Sequence, residues 1–178
     1  MLKLVLLSFS MLISTGVSMN KHTQPKIEQL TKYTNFEIYA PSNLEAGIQY
    51  EIKVPSDVSQ TKCTDLVLIN YFNAKGSYVV GVRQQRNNAY MAQENIEFDV
   101  KNRTQTTKKV IRKVTLEPRG EAVSVDGSEG RYEAYLGTNA SGGILKWVQS
   151  DTYIELDTSS LSKSSLIEIA ESMKKVNN

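Results

Sequence analysis

Residues 142–173 read GGILKWVQSDTYIELDTSSLSKSSLIEIAESM. Two runs rich in β-branched and aromatic residues, Ile144 to Gln149 and Thr152 to Leu156, flank Ser150-Asp151, an arrangement that predicts a β-hairpin. In the second arm Thr152, Ile154 and Leu156 share one face, while Tyr153 and Glu155 share the other. In the first arm Leu145 and Trp147 oppose Ile144, Lys146 and Val148. One face is therefore expected to be core and the other wet. After Asp157-Thr158-Ser159-Ser160, Ser162 is placed to cap the first free amides of a helix, and Leu161 to pack on Leu166 as a hydrophobic staple. The helix is expected to start at Lys163. Leu166, Ile169, Ala170 and Met173 then recur at i, i+3, i+4 and i+7, one apolar stripe to lie against the sheet. Lys174 and Lys175 fall where the negative end of the helix dipole is expected.

Outward from this stretch, strand signals run back through the chain: Phe36 to Ala40, Gln49 to Val54, Leu66 to Phe72, Tyr78 to Gln84, Ile96 to Val100, Val110 to Leu116, Ala122 to Val125 and Tyr132 to Leu136. Turn chemistry separates them at Pro41-Ser42-Asn43, Pro55-Ser56-Asp57, Asn73 to Gly76, Pro118-Arg119-Gly120 and Asp126 to Gly130. The expected fold class is α+β: a mostly antiparallel, curved sheet of about 7–9 strands, connected as a meander, with the C-terminal amphipathic helix packed on it. A chain of 178 residues has room for one domain and one core, placed at 35–178.

The pattern Leu145-Lys146-Trp147, Tyr153 with Leu156, Leu161-Ser162, Leu166, and Ile169-Ala170 with Ser172 resembles the C-terminal half of a domain-of-unknown-function family. That family is found in extracytoplasmic regions of Gram-positive membrane proteins and lipoproteins, and beside anti-sigma-factor segments. Phe36 to Ser42, continuing to Gly47, is similar to the family's opening strand and turn, so the resemblance spans Asn35 to Val176. It departs at Ser165, where relatives carry an acid, and at Leu44-Glu45-Ala46-Gly47, where they read L-P-x-G. The resemblance implies an envelope-facing regulatory or binding role and carries over no catalytic residue.

Residues 1–18 stand apart. Lys3 precedes a run from Leu4 to Ile13 that is apolar but for two serines, and Gly16-Val17-Ser18 offers a small-x-small cleavage site, which is the pattern of a secretory signal. No cysteine follows it to take a lipid. Residues 19–34 read as a polar tether or a short docking helix from Pro25 to Tyr33, with Ile27 and Leu30 at i and i+3. Cys63, the only cysteine, excludes an internal disulfide and reads as a small half-buried side chain near a strand start. The expected location is secreted or extracytoplasmic, in association with a cell envelope. Asn102-Arg103-Thr104 and Asn139-Ala140-Ser141 match the glycosylation tripeptide, which carries no meaning in a bacterial chain.

Catalysis finds no constellation. The single histidine, His22, lies in the tether, away from any rigid scaffold that a catalytic triad or a zinc site needs. Glu129, Glu133, Asp151, Glu155 and Asp157 are explained by loops and solvent faces rather than by an acid–base pair. Asp126 to Gly130 lacks the ligand spacing of a calcium loop, and no phosphate-binding glycine motif is present. The expectation is a non-enzymatic binding or regulatory domain without cofactor or metal.

Two groups are candidates for contact. Between Lys101 and Arg119, seven cations stand against one acid, Glu117, in a chain whose net charge is only +2. A basic hairpin follows, and Lys101, Arg103, Lys108, Lys109, Arg112 and Lys113 are the candidate residues for an envelope protein or an anionic envelope surface. Nucleic acid is not expected, because no aromatic residues interleave with these cations. Tyr132, Tyr135, Trp147 and Tyr153, on adjacent expected strands, are candidates for a ligand groove. They support an alternative function: a carrier or sensor of a hydrophobic, lipid-like ligand held between sheet and helix.

Overall fold

A computed structural model describes residues 26–54, 63–99, 101–137 and 141–177. The expected signal at 1–18, residues 19–25 of the tether with His22, the turn at 55–57, and Asn139 lie outside them.

The expected hairpin at residues 144–156 is formed by β9 (Gly143–Gln149) and β10 (Thr152–Thr158), joined by Ser150-Asp151, with Trp147 opposite Ile154 and Leu145 opposite Leu156. Ser150 takes a positive φ of 53° to close the two-residue loop. These strands form the middle of a seven-stranded antiparallel sheet with β2 (Gln49–Lys53), β3 (Leu66–Phe72), β4 (Tyr78–Arg86), β7 (Glu121–Val125) and β8 (Ser128–Ala134). The spatial order is β2-β3-β4-β10-β9-β8-β7. This corrects the simple meander. Two meanders, β2 to β4 and β7 to β10, are joined where β4 pairs with β10, Val82 opposite Leu156 and Gln84 opposite Ile154. The intervening β5 (Tyr90–Asp99) and β6 (Thr104–Lys113) leave the sheet as a separate hairpin.

Period-2 alternation assigns the faces. Val67, Ile69, Val80, Val82, Leu145, Trp147, Ile154 and Leu156 all point to one side and are at most 1% exposed. A second layer covers them: α1 (Ile27–Leu30) contributes Leu30, the segment before β1 (Tyr39–Pro41) contributes Phe36 and Ile38, and α2 (Lys163–Glu171) contributes Leu166, Ile169 and Ala170. As expected, α2 starts at Lys163, and the Ser162 hydroxyl accepts the Ser165 amide at 3.2 Å. A cap of this kind contributes about 1 kcal/mol.

The helix is shorter than the apolar stripe implied. Ser172 ends it, its hydroxyl donating to Asn43 Oδ1 at 2.6 Å, and the next residues form β11 (Met173–Lys175), antiparallel to β1. Met173 is buried, but from a strand, and Lys174 and Lys175 sit on that strand rather than at the helix end. Pairing with β1 overrides the helical periodicity. The opening strand is likewise only Tyr39–Pro41, because Phe36 and Ile38 reach the core from irregular backbone.

Two side chains of the sheet, Gln84 and Thr152, fasten the second layer to it. Gln84, fully buried on the core face of β4, accepts the Tyr39 amide at Oε1 (2.8 Å) and donates from Nε2 to the Tyr39 carbonyl (2.9 Å). It satisfies both backbone groups of Tyr39 as a neighbouring strand would. Thr152 Oγ1 donates to the Glu37 carbonyl (2.8 Å) beside it.

Two turns show why glycine is needed. Asp126-Gly127 has φ of 48° and 79°, a mirror-image turn that matches strand twist, so the predicted five-residue turn shrinks to two and Ser128 to Gly130 join β8. At Gly142, with φ of 79°, a Cβ would overlap the Thr158 carbonyl where the chain enters β9.

Replacing Gln84 by Ala would leave the Tyr39 amide and carbonyl buried without partners and open a cavity. A loss of about 3 kcal/mol or more is expected in denaturant unfolding. Gln85→Ala, removing a side chain whose Oε1 has no partner among the described residues, should cost less than half as much.

Candidate functional site

The six candidate cations are brought together. Ten cross-strand pairs build the β5–β6 hairpin, from Tyr90 opposite Lys113 to Asp99 opposite Thr104, and Lys101 and Arg103 occupy its tip. Arg103 closes the turn at φ 52°. Lys108 and Arg112 lie on one face, Lys109 and Lys113 on the other. All six are exposed. Lys108 reaches Glu97 at 3.1 Å across the pair, an exposed ion pair that contributes little to stability. The seventh cation of the stretch, Arg119, is elsewhere: its Nε is 2.9 Å from Glu133 over the main sheet.

The hairpin is longer than its expected strands, Ile96 to Val100 and Val110 to Leu116: β5 begins earlier, at Tyr90, toward the base, while β6 begins earlier, at Thr104, toward the tip, and stops at Lys113. Its added residues, such as Thr104, Thr106 and Thr107, are polar on both faces, so hydrophobic periodicity gives no signal there. At its base Arg83 Nη2 lies 3.9 Å from Met91 Sδ, and Asn88 and Val114 exchange backbone bonds with their surroundings at 2.8 Å.

The four aromatic candidates do not share a surface. Trp147 is fully buried on the core face, and Tyr132, opposite Leu145, is on that face too. The Tyr132 hydroxyl donates to the Gly142 carbonyl (3.2 Å), and Lys163 of α2 stands 5.6 Å from its ring centroid. Tyr153 and Tyr135 lie on the opposite side of the sheet, beside Glu155 and Asp157. The seam between sheet and α2 is filled by Leu166, Ile169, Ala170 and Met173, each no more than 8% exposed. Two open clefts, of about 340 and 440 Å³, lie at the end of the sheet around Asn35; one is lined by Glu37, Asp151 and Lys175, the other by Asp65, Arg86 and Tyr90. None of the four aromatic candidates lines either.

Four of the five acids singled out in the sequence have partners on the outer face, and the fifth, Asp151, lies in the β9–β10 loop. Tyr78 donates to Asp157 Oδ2 (2.6 Å), with Gly81 leaving the space a Cβ would fill, and Tyr153 donates to Glu155 (3.2 Å). Glu133 is held between Lys146 (2.6 Å) and Arg119, and Glu129 pairs with Arg131. In the second layer Lys175, which hydrogen-bonds Glu37, holds that carboxyl below its ordinary range. Among the described residues no group of three or more His, Cys, Asp or Glu side chains could hold a metal. Cys63 is exposed, not half-buried, because β3 begins three residues later and Thr64 rather than Cys63 turns inward. No described helix is long and apolar enough to cross a membrane. The chain matches no protein-family model, no curated protein and no solved structure.

Burial raises the Tyr71, Tyr78 and Tyr153 hydroxyls above the ordinary value of 10.0, and neighbouring carboxylates add to the rise at Tyr78 and Tyr153. The folded state thus holds these protons more tightly than the unfolded chain. Their contribution to stability is intact below pH 10 and is lost as pH rises past it. The denaturant midpoint is expected to fall from about pH 10 upward. Tyr71→Phe, removing a buried hydroxyl with no partner among the described residues, should flatten that fall and cost less at neutral pH than Tyr78→Phe. A midpoint constant to about pH 11 would contradict this account.

Proposed function

We propose that this chain is a non-enzymatic, extracytoplasmic binding domain with a regulatory role, and that it meets an anionic partner at the cell envelope through the β5–β6 hairpin. The observation that carries the reading is the hairpin itself. It stands outside the main sheet, adds nothing to the core among the described residues, and presents six exposed cations along both faces and the tip. A ten-pair ribbon without a core is expensive to maintain for stability alone. Its value lies in what it reaches. The location is carried by the apolar run from Leu4 to Ile13 with its cleavage pattern. The regulatory role draws on the resemblance of Leu145 to Trp147 and of the Leu161 to Ser172 pattern to the Gram-positive envelope family.

A solvated edge that uses lysines against strand pairing is the competing explanation of the charge. It accounts for the cations on the β6 edge but not for Lys101 and Arg103 at the tip. The carrier reading has less support, since the seam between sheet and helix is occupied by the protein's own side chains.

Replacing Lys108, Lys109, Arg112 and Lys113 together by Gln is expected to weaken association with isolated envelope fractions by at least about tenfold at low salt, because each cation near an anionic surface contributes about 1 kcal/mol. The salt dependence should flatten, and the thermal transition should stay in place. Unchanged binding would remove the hairpin from the reading.

A further inference from the structure

Cross-strand register sorts the hairpin into two unlike faces. Tyr90, Glu94, Ile96 and Phe98 of β5 share one face with Lys109, Ile111 and Lys113 of β6, Glu94 standing opposite Lys109, while Met91, Glu97, Thr106, Lys108 and Arg112 belong to the other. On the first face the large apolar side chains are open to solvent: Tyr90 is 72% exposed, Phe98 62%, Ile111 73% and Ile96 37%. A two-stranded ribbon is marginal in water on its own, and an uncovered aromatic and branched face on it marks a contact surface.

Resting on the binding reading above, we propose that this face lies on an anionic lipid bilayer, with Phe98, Ile96 and Ile111 entering the headgroup boundary and Lys113 meeting lipid phosphates. Charge complementarity selects the occupant. Residues 90–113 carry six cations against Glu94, Glu97 and Asp99, a net charge of +3, so a second copy of the hairpin would bring like charges together. Shape selects it as well. From Tyr90 to Phe98 the apolar side chains extend along roughly 27 Å of ribbon, a strip that a planar, deformable surface covers at once. Tyr90 adds a ring with a polar tip, suited to the interface between headgroup and acyl chain. Binding of this kind scales with buried apolar area and with the anionic content of the membrane.

The test uses the full chain with a fluorescent reporter on each face. Trp147, the only tryptophan, is fully buried, so Phe98→Trp reports on the apolar face and Thr106→Trp on the other. Each is titrated with phosphatidylcholine vesicles, with vesicles containing phosphatidylglycerol, and with the same vesicles carrying brominated acyl chains. Both variants share the same N-terminal residues, so any difference between them belongs to the hairpin. The expected result is a blue shift and bromine quenching for Phe98→Trp on anionic vesicles. Quenching should be at least about fivefold weaker for Thr106→Trp or on neutral vesicles, and should decline as salt is raised. Equal quenching of the two variants, or none for Phe98→Trp, overturns the lipid proposal. If the second result is accompanied by crosslinking of the hairpin to an envelope protein, the binding reading survives and only the lipid is lost; without it, both fall.

Discussion

The second layer of this protein depends on one buried amide. Gln84 replaces a strand: its side chain meets the amide and carbonyl of Tyr39, so the opening segment of the chain can lie across the sheet face without leaving backbone groups unsatisfied. Everything laid on that face follows from it. With Tyr39 fixed, β1 offers an edge to β11, Val176 donates to the Ile38 carbonyl at 2.8 Å, and Ser172 and Glu168 at the end of α2 are tied to Ser42 and Asn43. Residues 30–42 and 166–176 are thereby fastened in one layer, with Leu30, Ile38, Leu166 and Met173 pressed onto the sheet. A buried glutamine is tolerable only because both ends of its amide are used; a half-satisfied one would cost more than an apolar residue.

Much of the sheet was legible because burial leaves a period in the sequence. Leu66–Phe72 was read to the residue, and the β9–β10 hairpin and the Ser162 cap were evident from alternation and one hydroxyl in the right place. What alternation cannot encode is which strand lies beside which. The β4–β10 pairing joins residues about seventy apart with no turn to announce it, and Gln84 in the core face reads as a polar interruption until its partner is known. The end of α2 was misjudged for a related reason: a stripe at i and i+7 is equally satisfied by a buried residue one position into a strand, and Met173 is that residue.

The candidate site was half legible. Charge counting found the hairpin and its cations, since charge needs no geometry to be counted. The apolar face of the same hairpin was invisible, because Tyr90, Ile96, Phe98 and Ile111 gather only once Ala92 is set opposite Ile111 and Phe98 opposite Gln105. The aromatic group failed in the opposite way. Tyr132, Tyr135, Trp147 and Tyr153 are neighbours in strand order, yet one-residue differences in register send them to opposite faces of the sheet.

The sheet order also governs how the chain assembles. β10 sits at the centre of the seven strands but near the end of the chain, so until residues 152–158 are present β4 and β9 each expose a bare edge with apolar side chains beside it. Synthesised from the N-terminus, the polypeptide carries the β2–β4 half-sheet with an open β4 edge from Arg86 until Thr152 is added, and the β9 edge opens just before β10 arrives. Such edges are templates for pairing with other chains. A shortened product ending before Thr152 would lose more than a hairpin arm and a helix: it would be a sticky, open-edged intermediate with no means of closing, and its fate would be aggregation or proteolysis rather than partial activity.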